Sequence, residues 1–141
     1  MEKLKLEIRQ ALPKDISGIY KLIEKTYGDL EDYSKDTVRG QITNFPEGHF
    51  VAVLNKAIVG YSASIILPEK QALNKHTWKS VTGNGYGSTH DELGDYLYGY
   101  ETCVDPDVRG HRIGRRFYDA RKELARYLRL KGIVFVGRIA N

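Results

Sequence analysis

Residues 96–137 constrain this chain more than any other stretch, because they read as a strand, a long helix and a second strand with little slack between them. The aromatic run Tyr96-Leu97-Tyr98-Gly99-Tyr100-Glu101-Thr102-Cys103-Val104 is the expected first strand. It stops at Asp105-Pro106-Asp107, where proline offers no N–H to a ladder and Asp107 is the expected cap of the turn. Ile113, Phe117, Ala120, Leu124 and Leu128 then recur at steps of four, three, four and four, one face of a helix. Arg115, Asp119, Lys122, Arg126 and Arg129 fill the opposite face. Gly132-Ile133-Val134-Phe135-Val136-Gly137 is a short apolar run bounded by glycines, which predicts a buried strand. A strand–helix–strand unit of this length implies parallel neighbours joined by a right-handed crossover, and places the chain in the α/β (α+β) class.

The start of that helix has an unusual charge. A helix N-terminus already carries about half a positive charge and several unpaired N–H groups, yet Arg109, His111, Arg112, Arg115 and Arg116 crowd its first two turns. Cations so placed repel one another and the dipole unless an anion sits among them. Gly110 and Gly114 have no side chains, so a ligand approaches the backbone closely there. The cluster reads as a phosphate or pyrophosphate cradle; a solvated basic helix end is the alternative. It matches neither GxxxxGK[ST] nor GxGxxG.

The 141 residues amount to one domain, and 41% hydrophobic content with ten Tyr marks it as globular. The net charge of +4 fits an anionic cofactor or nucleic acid equally. A lone cysteine, Cys103, excludes an internal disulfide and favours the cytosol. No signal-type hydrophobic region or run of 18 apolar residues occurs, so the expectation is a soluble, cytoplasmic protein. His76 and His90 lack the paired spacing and further ligands of a zinc site, and no metal is expected.

Earlier in the chain, Leu4 to Arg9 alternates apolar and charged, a half-buried first strand. A helix follows with Ile16, Ile19, Tyr20, Ile23 and Tyr27 on one face and Gly28 as its stop. A second helix starts at Ser34 or Asp36 and carries Val38, Ile42 and Phe45. His49–Leu54 and Ala57–Ile66 around Asn55-Lys56 predict a β-hairpin, with Gly60 marking a bulge or a close backbone neighbour. Leu67–Asp95 is too long for a structureless connection. A short helix from Leu73 to Val81 around Trp78 is expected there. An acceptor-site lid, a dimer contact and a surface excursion are the competing readings. The Gly-rich stretch 82–87 follows no strand and precedes no helix, so it is not a nucleotide loop.

The order Val-x-Pro-x-x-Arg-Gly-x-x-Ile-Gly at 104–114 resembles the acetyl-CoA signature of the GNAT N-acetyltransferases, Arg/Gln-x-x-Gly-x-Gly/Ala. Arg109 and Gly114 match it; Arg112 stands where the pattern prefers Gly. The opening Ile8-Arg9-x-Ala11-x-x-x-Asp15 and the hairpin's Ile58-Val59-Gly60 are similar to the same family. Residues 76–138 resemble one subfamily in which a GNAT domain precedes a carbon–nitrogen hydrolase (nitrilase-like) domain in one polypeptide.

The resemblance implies a mixed central sheet flanked by helices. It also implies that residues 1–141 form a single, incomplete GNAT domain that stops after the fifth strand, short of a further helix and two strands. The hydrolase domain would lie outside these residues. The implied activity is acetyl transfer from acetyl-CoA to an amine of an unidentified small-molecule or peptide acceptor, in a possible homodimer and away from membranes. Cys103 and Val104 would pair through their backbone with the pantetheine arm. Arg109, Gly110, His111, Arg112, Ile113 and Gly114 would hold the pyrophosphate, with Arg115 or Arg116 reaching the ribose phosphate. Glu101 is the candidate general base, sharing a face with Gly99 and Cys103 by strand alternation, with Tyr98, Tyr100 and Thr102 opposite; an arginine-paired carboxylate is the alternative. Cys103 is read as a buried strand residue rather than a nucleophile. Many GNAT enzymes protonate the leaving thiolate with a Tyr beyond the fifth strand, so no general acid is assigned. Two rivals remain: a non-catalytic acyl-CoA-binding module that regulates an attached hydrolase, and a nucleic-acid module using the basic 109–131 face with Tyr118 and Tyr127.

Overall fold

The computed structural model describes residues 5–28, 30, 33–108 and 110–139, with the backbone alone for 136–139. Five strands form one sheet in the order β1 (Leu6–Gln10), β2 (His49–Leu54), β3 (Ala57–Leu67), β4 (Tyr96–Val104) and β5 (Gly132–Ile139). The first three pairings are antiparallel and β4–β5 is parallel. The tight hairpin and the long helical crossover require that mixture.

Helix α1 (Ile16–Tyr27) buries Ile16, Ile19, Leu22 and Ile23. It stops where Gly28 takes φ +82° and returns its N–H to Glu24 O at 2.8 Å, a conformation glycine adopts without strain. In α2 (Lys35–Asn44) the Ser34 N–H, left over at the helix start, donates to Thr37 Oγ1 at 3.0 Å. The hairpin turns on Asn55 (φ 50°) and Lys56 (φ 66°), two left-handed residues whose twist matches that of the strands.

At Gly60 both expected causes act together. The register passes from Ala52↔Gly60 to Val53↔Ile58, so Val59 is the extra residue of a bulge. A Cβ on Gly60 would also lie 2.9 Å from the Phe117 ring and 3.0 Å from Ile113, both on α5 (Ile113–Tyr127). Its neighbour Tyr61 bonds Gln41 of α2. Successive strand residues point to opposite faces, so α2 and α5 cover opposite sides of the sheet. The main core lies under α1 and α2; a smaller one joins Leu6, Ala52, Val59, Ile113 and Phe117 under α5.

Two sequence expectations need correction. The single helix expected over Leu73–Val81 is two short ones, α3 (Glu69–Leu73) and α4 (Trp78–Thr82). Asn74 and Thr77 between them are extended, and Thr77 Oγ1 caps Ser80 N–H at 3.0 Å, starting a new helix instead of continuing the old one. The segment around them is stitched to the core. Trp78 Nε1 donates to Tyr100 O at 2.8 Å, Ile66 N–H to His90 Nδ1 at 3.0 Å, and the His90 ring stacks on Phe45 with centroids 4.2 Å apart. On α5 the buried stripe is Ile113, Phe117, Arg121 and Ala125, while Ala120, Leu124 and Leu128 are half-buried at its margin. Hydrophobicity alone misplaced the centre of that face because one of its innermost residues is an arginine. No helix among the described residues is long and apolar enough to cross a membrane.

Candidate active site

The site is built on an irregularity in β4. Opposite β3 the register runs Ser64↔Gly99 and then Ala63↔Glu101, which leaves Tyr100 as an extra residue; the β5 register breaks at the same place. Arg121 of α5 reaches in from one face and its Nη2 donates to Ala63 O at 3.0 Å and Glu101 O at 2.9 Å, the register pair that borders the break, one carbonyl on each strand. Gly99 makes room for it: a Cβ there would stand 2.7 Å from Arg121 Nη1. Only 3% of Arg121 is exposed, and burial draws its pKa down to about 10, so it remains a cation at neutral pH. Among the described residues its Nε has no hydrogen-bond partner.

The bulge corrects the expected alternation. Gly99 faces α5, whereas Tyr100 and Glu101 both turn toward the α1/α2 side, where Cys103 packs beside Leu22 O. Glu101 therefore keeps Cys103 as a companion, gains Tyr100 and loses Gly99. Its carboxylate is 2% exposed and accepts a hydrogen bond from the Tyr33 hydroxyl at 3.2 Å. Gln41 Nε2 donates to that same hydroxyl at 3.1 Å and to Gly85 O at 2.7 Å, and Gln41 Oε1 accepts from Tyr61 at 2.7 Å. Beside this network His49 Nδ1 faces Phe45 O at 2.6 Å and His49 Nε2 faces Tyr100 Oη at 2.7 Å. A carbonyl only accepts, so Nδ1 carries the proton and the Tyr100 hydroxyl donates to Nε2. Complete burial pushes His49 down to about 3 and both Tyr61 and Tyr100 well above the usual phenol value.

Past the bulge, Cys103 and Val104 pair with Tyr61 and Gly60 of β3, and the register with β5 is described as far as Thr102↔Ile139. The chain then turns at Asp105, whose Oδ1 accepts the Asp107 N–H at 2.9 Å. Asp105 caps the turn in place of the expected Asp107, and Lys25 Nζ pairs with both carboxylates at 2.9 Å.

The start of α5 keeps its orphan donors. Arg116 N–H bonds Arg112 O at 2.9 Å, so the N–H groups of Ile113, Gly114 and Arg115 lie ahead of the first closed turn. No acid occupies that turn and no side chain caps it. Arg112 is the N-cap, with φ 53° and ψ 41°, the left-handed region glycine enters freely and an arginine only under strain. His111, Arg112, Arg115, Arg116 and Asp119 line an open groove of about 750 Å³. Gly110 and Gly114 have nothing within 4 Å of where a Cβ would be. Ile113 is buried against Gly60, so only its backbone serves the groove. Arg109 lies outside the described residues. The structure thus assembles a cationic, N–H-rich mouth just past the end of β4, and a separate buried carboxylate upstream on the same strand.

Sequence reasoning missed Gln41, Arg121 and His49. Only Arg121 left a trace, an arginine eight residues after Ile113 on the apolar face of its helix. Phe45 (5% exposed) packs in the core, and Tyr27 Oη lies 3.4 Å from Thr102 O.

Comparisons with known proteins point the same way. The model of the acetyltransferase (GNAT) family matches residues 16–140. Two proteins of Bacillus subtilis (strain 168) are similar: the probable hydrolase YhcX, 36% identical over 137 residues, and the uncharacterized N-acetyltransferase YkwB, 32% identical over 138 residues. The matches take in 97% and 95% of this chain but only 27% and 61% of those proteins. Among solved structures, the GphF GNAT-like decarboxylase in complex with isobutyryl-CoA superposes with a TM-score of 0.73 at 26% identity, over 85% of this chain and 59% of that one. A family match over nearly the whole chain, joined to a bulged fourth strand that runs into an uncapped, cation-rich helix start, leaves one assignment: the chain belongs to the GNAT acetyltransferase family.

Proposed function

We propose that this domain transfers an acetyl group from acetyl-CoA to an amine. The observation that carries this reading is that β4 leads through Cys103–Val104 and one turn into the orphan N–H groups of Ile113, Gly114 and Arg115, with no acid in that first turn. A pyrophosphate satisfies those N–H groups, and the family resemblance puts an extended pantetheine arm along Cys103 and Val104. The site fits such a ligand on its own terms. The donors are unopposed by any acid in the first turn, the glycines leave the backbone open, and Arg112, Arg115 and Arg116 supply positive charge around the groove. We assign Arg109 to the same cradle from its place in the sequence motif.

The thioester supplies the activated acyl group, and the chain's own residues do the rest. A backbone N–H of β4 aimed at the thioester oxygen stabilises developing charge, a contribution of about 3 kcal/mol for one well-placed donor. Glu101 is the proposed base that takes the amine proton. It is one of two buried carboxylates among the described residues and the one that lies on β4, the strand leading to the cradle. The same burial of Glu101, 2% exposed, favours a second reading, an acyl-CoA-binding module without turnover. Similarity to part of a probable hydrolase supports a hydrolase domain elsewhere in the same polypeptide as this domain's partner. The lone Cys103 supports a cytoplasmic setting.

Calorimetry with acetyl-CoA on the wild type and on Gly114→Trp tests the cradle, because the indole enters open space at the mouth. Wild-type binding that the variant abolishes is expected; equal binding, or none by either, refutes the site. Free-thiol release from acetyl-CoA over a panel of amines, compared with Glu101→Gln, then separates enzyme from binding module.

A further inference from the structure

Gln41, Tyr33 and Glu101 are joined by hydrogen bonds whose direction is fixed from one end. We infer that Gln41 and Tyr33 are positioning residues that hold Glu101 as a carboxylate before any substrate arrives. The inference rests on Glu101 being the base proposed above.

The chain of bonds starts at Gly85 O, which only accepts. The Gln41 atom 2.7 Å from it is therefore the amide nitrogen, so the flip of this side chain is settled by chemistry. The same nitrogen spends its second hydrogen on Tyr33 Oη at 3.1 Å, while Gln41 Oε1 accepts from Tyr61. Having accepted from Gln41, the Tyr33 hydroxyl points its own proton at Glu101 Oε2, 3.2 Å away. A proton placed on that oxygen would set two hydrogens between one pair of oxygens. Ionised Glu101 keeps every bond in the chain; protonation at Oε2 breaks one. Gln41 is fully buried and Tyr33 is 8% exposed, so water offers Tyr33 little alternative.

The fold makes this arrangement from distant parts. Gly85 belongs to the glycine-rich turn after α4, where φ is +91° and a Cβ would meet Trp78 at 2.8 Å. Its N–H is held by Thr82 Oγ1 at 2.8 Å, which aims the carbonyl at α2. The 82–87 stretch thus serves the carboxylate at two removes. Other groups around Glu101 act on its charge without fixing the direction of the Tyr33 bond. Tyr61 on β3 and Tyr100 on β4 stay neutral, and His49 of β2 is neutral beside Tyr100. Arg121 of α5 donates to the Glu101 carbonyl.

The test reads the charge of Glu101 directly. Protein labelled with ¹³C at the glutamate carboxyl is titrated by NMR, the Glu101 resonance being identified by its loss in Glu101→Gln. Removing the Tyr33 hydroxyl in Tyr33→Phe is expected to raise the Glu101 midpoint by about one to two pH units, the size of a lost hydrogen bond to a charged group. Gln41→Leu raises it in the same sense, because Tyr33 is then free to point elsewhere. Tyr61→Phe removes a bond from the same glutamine but not the bond to Tyr33, and leaves the midpoint where it was. Should Gln41→Leu fail to fold, Tyr33→Phe against Tyr61→Phe still decides. A midpoint unmoved in Tyr33→Phe, or moved equally in Tyr61→Phe, overturns the inference. Since the titration needs no amine or acetyl-CoA, absence of acetyl transfer refutes the proposed function and leaves this result standing, and the converse also holds.

Discussion

His49 gives this fold a specific weakness toward acid. The ring is fully buried, donates from Nδ1 to Phe45 O and accepts from Tyr100 at Nε2. Burial, with Arg121 and His90 adding repulsion, pushes its folded pKa from 6.5 down to about 3. The unfolded chain therefore binds a proton below pH 6.5 that the folded chain refuses until near pH 3, and stability falls with pH across that window. Two pH units below 6.5, at pH 4.5, the loss amounts to about 3 kcal/mol. For a domain of this size that lowers the melting temperature by roughly 10 °C. Between pH 6.5 and 4.5 the carboxylates contribute little, because their unfolded pKa values, about 3.9 and 4.3, lie below that range. His90, also depressed mainly by burial, adds in the same direction. The assay is urea unfolding at pH 6.5 and 4.5 for the wild type and His49→Gln, which keeps a donor and an acceptor but no titrating group. Whatever the variant's starting stability, its loss between the two pH values should be smaller than the wild type's by about 2 kcal/mol, with the His90 contribution cancelling. Equal losses in the two proteins would refute the reasoning, and with it the assignment of Tyr100 as donor to a neutral imidazole.

Three further outcomes follow from backbone geometry. Gly99→Ala sets a methyl 2.7 Å from the Arg121 guanidinium; it should cost about 1–3 kcal/mol by thermal unfolding, and much less in an Arg121→Leu background, where the obstruction is gone. Arg112→Gly relieves a left-handed arginine at φ 53° and should raise stability by about 1 kcal/mol in urea unfolding, whereas Gly110→Ala, at φ +81°, should lower it by a similar amount.

The local rules along the chain were enough for the order of the five strands and of α1, α2 and α5, though not for the pair α3 and α4. Period-two and period-four patterns, Gly28, Asn55-Lys56 and Pro106 each act on near neighbours, and each produced the strand, helix stop, turn or strand end it predicts. The uncapped cationic start of α5 was legible for the same reason, since charge near a helix dipole is a local matter. What the sequence could not show was anything that depends on one strand slipping against another. Alternation assigned Glu101 to the face of Gly99, and a single extra residue at Tyr100 moved it to the other side. The bulge is fixed by Arg121, twenty residues later, and the environment of Glu101 by Tyr33, Gln41 and Gly85 from three separate segments. An arginine inside the core and a glutamine holding a tyrosine look like surface residues in one dimension. Only packing removes the water that would otherwise satisfy them, and only then do their hydrogen bonds acquire a direction and a consequence.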